Sequence, residues 1–448
     1  MKPRIRLLTI VLFLLAALVV PTSCNNEFEG SLPRRDQLNY PIGVTFHPNG
    51  RYLYVVNSNF DARYRPSAGG TVSVIDADTL EIAAEQTPFL PSFGAFIELN
   101  EDASKAYVTA RADDVVVAYE VADDGSALFC TGADGAQTSD PAECVIDRVP
   151  DQSGGAELPP DPFALSVFTV ERGGEPVDVI NTTHLQSRDN QAARVSSISL
   201  PGGQLAGGTI QTAPFFRATT IARRPGTQNL YVGARSTNGV GIFQPFINEE
   251  GEVEAIIQRG FFELNHGTIN NNIIPIDARG MAFNDAGDRL YVVTRRPDAM
   301  HVVKLVAADP DEGTGTSHEV ASALPLPDGP SDIVLHTTPQ GRQLAYISSF
   351  DDESIQVVDV DSLTITDEIL LDASPYEMAI EPPTSGCSEA DERCRLFVTL
   401  FDDAQDSSVD CASTGSCGSV AVIDINPLNR NPEAPELSRY HTVISKIQ

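Results

Sequence analysis

The chain has 448 residues, 62 acidic and 30 basic, for a formal net charge of −32. So negative a balance argues against nucleic acid as a partner, because phosphate binding needs a basic face that displaces counterions. The 42% hydrophobic content still supplies a large core, and the length exceeds a usual single domain, so either two domains or one domain built from repeats is implied.

At the start of the chain, Lys2, Arg4 and Arg6 precede an apolar run from Leu7 to Val20, and Ser23 stands directly before Cys24. The run is too short for a comfortable membrane span. It reads as an export signal over residues 1–23, followed by a tether over 24–39. Its end is similar to a lipoprotein signal, which implies acylation at Cys24, a place in the cell envelope facing the periplasm or the exterior, and membrane attachment through that lipid alone. Ordinary secretory cleavage nearby is the alternative. An acidic surface favours a soluble monomer.

From residue 40 onward a unit recurs, and such a period of about 40 to 50 residues signals propeller blades. A short apolar strand, a turn, and a second strand rich in aromatic and β-branched residues appear at 43–57, 95–109, 219–233, 280–294 and 333–348. The turns His47-Pro48-Asn49-Gly50, Asn100-Glu101-Asp102, Arg224-Pro225-Gly226, Asn284-Asp285-Ala286-Gly287 and Thr338-Pro339-Gln340-Gly341 supply the fixed or positive φ of a tight hairpin. A third, β-branched strand closed by an acid follows, as in 71–76, 354–359 and 419–424, then a more polar strand, as in 80–86, 364–371 and 441–447. Polarity suits an outer edge, and four antiparallel strands make a blade. Blades fall near 40–90, 91–150, 160–213, 214–266, 274–326, 327–372 and 373–447. The predicted fold is therefore all-β, a seven-bladed β-propeller over 40–448, with the third blade the least regular and its outer strand expected at 205–211.

Without Cys24, six cysteines remain in three close pairs, Cys130 with Cys144, Cys387 with Cys394, and Cys411 with Cys417, each bracketing a polar loop. This spacing predicts disulfide staples. None has CxxC spacing or a histidine beside it in sequence, so no metal site is expected.

The segments Tyr54-Val55-Val56-Asn57, Tyr107-Val108-Thr109-Ala110 and Tyr291-Val292-Val293-Thr294, with strands such as Val72-Ser73-Val74-Ile75-Asp76, resemble the YVTN-type propeller repeat of exported bacterial and archaeal proteins. The resemblance spans roughly residues 40–447 and implies a fold, since one propeller scaffold hosts binding modules, lactonases, redox enzymes and surface-layer proteins.

Absent motifs narrow the chemistry. There is no Trp, no CxxCH, no HExxH, no GxSxG and no phosphate loop, so no cofactor is implied. The acidic runs Asp113-Asp114, Asp351-Asp352-Glu353 and Asp402-Asp403 lack calcium-loop spacing and read as solvated loops. One constellation stands out: Arg111, Arg235 and Arg295 each lie four residues past the aligned Tyr of a second strand. Radial symmetry predicts that these guanidiniums share one face, where they could grip an anion by forked hydrogen bonds, unless each is taken up by acids of its own or a neighbouring blade. Arg296, Arg63 and His184 fall in corresponding loops. The expectation is a non-catalytic binding or scaffolding module for a protein or small anionic ligand, with a lactonase-like hydrolase or a surface-layer protein as alternatives.

Overall fold

The computed structural model describes residues 31–448 except 133–135, 139, 146–147, 150–155, 187–193, 202–207, 266–267, 270–271, 307–315, 383–386, 388–392, 404–416 and 435–436. Seven antiparallel sheets, each from one continuous stretch of chain, stand around an axis. Their inner strands are Pro41–Phe46, Gly94–Leu99, Pro162–Arg172, Ala218–Arg223, Ala278–Phe283, Pro330–Thr337 and Pro375–Ile380. Each packs against the next, and Pro375–Ile380 meets Pro41–Phe46 to close the ring between two complete blades.

Stacking explains the strand sequences. The second strands Tyr52–Asn57 and Arg395–Leu400 are buried along their whole length, because neighbouring sheets cover both faces. Their aromatic residues Tyr54, Tyr107, Tyr231, Tyr291, Tyr346 and Phe397 are among the largest fully buried side chains. The outer strand Thr364–Leu370, facing water, is exposed except at one position. The third blade departs from the pattern because Asn181 occupies the aligned Tyr position, where it is buried and donates to Ser166 O.

Two predicted outer strands differ in detail. In the first blade the strand is only Glu81–Ile82, followed by a 3-10 turn at Ala84–Gln86. There Thr87 Oγ1 accepts from Val74 N at 3.1 Å, so a side chain fills one gap in the ladder before Phe89–Leu90 resumes the pairing. In the third blade the outer strand is Thr209–Pro214, later than the 205–211 expected. Of the cysteines, Cys130 and Cys144 lie 5.7 Å apart at Cα, and Cys387 and Cys394 5.3 Å, both disulfide pairs. Cys411 and Cys24 lie outside the described residues. Cys417 is buried, and its carbonyl accepts from Tyr40 N.

Every inner strand breaks register near its start. A bulge frees a backbone N–H from the ladder, and the freed donors are satisfied by side chains. Phe96 N, Ala164 N, Asp332 N and Glu377 N donate to Thr109, Thr183, Ser348 and Thr399 hydroxyls of their own second strands. Three of those hydroxyls then donate onward to the next blade, Thr109 to Phe163 O, Ser348 to Tyr376 O and Thr399 to Ile42 O. One hydroxyl thus caps a bulge and clasps two blades. Thr399 does so across the ring closure, accepting at 3.0 Å and donating at 2.9 Å.

Replacing Thr399 by Val strands a buried donor and acceptor and is expected to cost about 1–3 kcal/mol, whereas Thr399→Ser keeps both bonds. Urea denaturation checks this: a Val variant as stable as wild type contradicts the clasp.

Candidate functional site

The residue at or just past the end of each second strand donates its N–H to the residue preceding its own inner strand. Ser58 bonds Tyr40, Arg111 bonds Phe93, Leu185 bonds Asp161, Arg235 bonds Arg217, Arg295 bonds Asp277, Phe350 bonds Gly329 and Phe401 bonds Ser374. Six of the seven acceptors have positive φ, from 48° at Asp277 to 74° at Gly329. This repeated turn sets one residue per blade on a common rim. Arg111, Arg235 and Arg295 occupy it in the second, fourth and fifth blades, while Phe350 and Phe401 occupy it in the sixth and seventh.

Each arginine reaches toward the following blade. Arg111 Nε lies 2.6 Å from Asp161 Oδ1. Arg295 donates to Pro330 O and Gly329 O, both at 3.0 Å, and to Ser331 Oγ, with Asp351 4.0 Å away. Arg235 is different. Its Nε is 3.6 Å from Asp277 Oδ1, and its side chain makes no hydrogen bond among the described residues. Asp277 is already engaged by Arg279, through Nη2 to Oδ2 at 3.1 Å and with Nε 2.9 Å from Oδ1. Two guanidiniums therefore share one carboxylate. Burial pushes the Arg235 pKa down, with the charges of Arg279 and Arg111 adding to it and Asp277 opposing them.

Arg279 was not singled out in the sequence. It comes from an inner strand, at the second position that Tyr376 fills in the seventh blade. Tyr376 joins the site: burial and Glu377 raise its pKa, while Arg111, Arg279 and Arg235 oppose them. Arg279, Arg295 and Tyr376 line a cavity of about 120 Å³ on the axis, with Phe96, Phe163, Asp332 and Glu377 among the other walls.

Three inner-strand acids bond across blades, two of them, Asp332 and Glu377, in the wall of this cavity. Asp332 accepts from Met378 N at 3.0 Å, Glu377 from Val44 N at 3.1 Å, and Glu98 from Val167 N at 2.9 Å, each bond crossing to the next blade. Enclosure by protein pushes the Asp332 carboxyl up to about 6 and Glu98 up to about 8. Glu377 is driven well above the usual range by burial and by Asp332 beside it. An arginine, an Asp and two Glu on strands otherwise apolar or small were a signal available in the sequence, since charges are rare where both faces are covered.

Other marked residues lie elsewhere. His184 is fully buried between Pro160 O and Ser196 Oγ, and Arg63 pairs with Asp61. Asp403 is buried and accepts from Ser419 and Lys446, and Asp352 accepts from Asp328 N. These two acids of the predicted solvated runs are bonded parts of the framework. One expectation needs correction: a histidine does accompany a cysteine pair, because the fold brings His336 Nε2 to 4.0 Å from Cys387 Sγ, with Cys394 alongside. Sequence distance had concealed it, His336 being an inner-strand residue of the preceding blade.

No family model matches the chain, and no curated protein matches it. Solved structures do. Hydrazine synthase of Kuenenia stuttgartiensis aligns with a TM-score of 0.50 at 11% identity, over 86% of this chain and 96% of that one. A functionally unknown protein from Desulfotomaculum acetoxidans gives 0.48 at 14%, over 91% and 95%. The periplasmic gluconolactonase of Pseudomonas aeruginosa gives 0.47 at 15%, over 75% and 87%. At 11% identity the hydrazine synthase likeness speaks for fold alone, and the sheets themselves make the chain a seven-bladed β-propeller.

The channel acids make stability depend on pH. The folded chain holds the Glu98 proton up to about pH 8, whereas the unfolded chain releases it near 4.5. The native state therefore binds more protons across that window, and the stability contributed by this group falls as pH rises. Glu98→Gln, whose amide oxygen still accepts from Val167 N, is expected to become progressively more stable than wild type between about pH 5 and about pH 8. A difference in denaturation midpoint that stays constant with pH contradicts this.

Proposed function

We propose that this chain is an exported propeller of the YVTN-repeat type, anchored by a lipid at Cys24, that binds a small organic anion at the arginine-lined mouth of its axial channel without converting it. The observation that carries the reading is the pair Arg235 and Arg279 with only Asp277 between them, the Arg235 guanidinium making no hydrogen bond among the described residues. A planar carboxylate supplies the two acceptors that a guanidinium fork lacks here. Export and anchoring rest on the basic start, the apolar run and Cys24.

A hydrolytic reading draws on one feature, the raised carboxyls of Asp332 and Glu377 in the wall of the same cavity, which could serve as proton donors. Both, however, accept a backbone N–H from the neighbouring blade, which accounts for their place.

Calorimetric titration of the full chain with acetate and with succinate at low ionic strength tests the binding reading. Arg235→Ala is expected to weaken binding at least about tenfold, equivalent to about 1.4 kcal/mol, with little change in melting temperature because no hydrogen bond is lost. Absence of binding in the wild type, or equal binding in the variant, overturns it. Turnover of a lactone panel that disappears in Asp332→Asn would instead establish the hydrolase.

A further inference from the structure

The half of the mouth facing the arginines is aromatic. Phe350 and Phe401 hold the rim positions that arginine holds in the second, fourth and fifth blades. Their ring centroids lie 6.3 Å apart, and Tyr376 sits 6.2 Å from Phe350 and 6.4 Å from Phe401. Phe60 adds a ring 5.0 Å from Phe401, edge-on at 79°, and remains 55% exposed. Rings of this kind prefer edge-to-face contacts and normally bury themselves. Here four of them, contributed by the first, sixth and seventh blades, pack together and stay partly exposed.

The two halves adjoin. The Arg295 guanidinium lies over the Phe350 ring, 5.8 Å from its centroid. Tyr376 packs on Phe350 and Phe401 while responding to the charges of Arg111, Arg279 and Arg235. A ligand centred over Tyr376 would therefore meet aromatic edges and faces on one side and, on the other, Arg235 and Arg279, which share one carboxylate. The cavity beneath holds only about 120 Å³, enough for a small group and too little for a folded partner.

Resting on the anion-binding reading above, we propose that the ligand of this mouth is a small aromatic carboxylate, its carboxylate on Arg235 and Arg279 and its ring against Phe350, Phe401 and Tyr376. Charge selects the acid and the ring cluster selects the flat aromatic body. An aliphatic acid of equal charge satisfies the arginines alone.

Titration calorimetry of the full chain at fixed ionic strength, with acetate, cyclohexanecarboxylate and benzoate as probes, separates the two layers of the argument. Benzoate is expected to bind at least about tenfold more tightly than acetate, with cyclohexanecarboxylate between them. The double variant Phe350→Leu, Phe401→Leu keeps apolar bulk and should bring benzoate down toward the cyclohexanecarboxylate level while leaving acetate unchanged. Arg235→Ala should weaken all three. If benzoate binds no better than acetate, or no better than cyclohexanecarboxylate, or if the double variant keeps the full benzoate preference, the aromatic assignment is wrong while anion binding stands. If none of the three binds, or Arg235→Ala changes nothing, the anion reading itself fails.

Discussion

The hydrogen bond that runs from the residue at or just past the end of each second strand back to the residue before each inner strand is the constraint on which both fold and site depend. It occurs in all seven blades and closes each inner hairpin at the same end. Because it is made by backbone, it places no demand on the side chain at its donor, so that side chain is free to differ from blade to blade. Ser58, Arg111, Leu185, Arg235, Arg295, Phe350 and Phe401 form a rim whose spacing comes from the scaffold and whose chemistry comes from the sequence.

Beneath the rim, the bulges solve a related problem. Inner strands crowd toward the axis, and each bulge opens backbone donors that cannot reach water cheaply. Hydroxyls from the second strand cover four of them, and acids from preceding blades cover others. Asp332 and Glu377 are thus part of the joint between blades as well as part of the cavity wall. Their protonation is tied to that enclosure, and through it the polarity of the channel changes with pH.

Much of the fold was legible because the repeat is encoded twice, in strand hydrophobicity and in turn chemistry. The turns show this well: Gly50, Gly226, Gly287 and Gly341 all have positive φ where the Pro/Asn/Gly signals stood, and Ala103 takes that place after Asn100-Glu101-Asp102. Asp76, Asp359 and Asp424 accept from backbone N–H groups two or three residues on, and Asp359 is held down to about 2 by Ser362 N and by Arg342. The outer strand of the first blade was not legible, since it is split into Glu81–Ile82 and Phe89–Leu90, with the Thr87 hydroxyl filling a bond between them. In the site, equivalence of Arg111, Arg235 and Arg295 followed from counting along the repeat. Arg279, Tyr376 and the aromatic half did not, because they come from a second register position or from residue types other than arginine. His336 beside Cys387 shows the same limit, the two being 51 residues apart in the chain.

A crystal structure of the full chain grown with 4-bromobenzoate tests the central claim most directly. The account predicts an anomalous bromine peak at the mouth of the axial channel on the Phe350 and Phe401 side, with the carboxylate between Arg235 and Arg279. Bromine located only at other surfaces, with Asp277 still the sole acceptor between those two arginines, would contradict it.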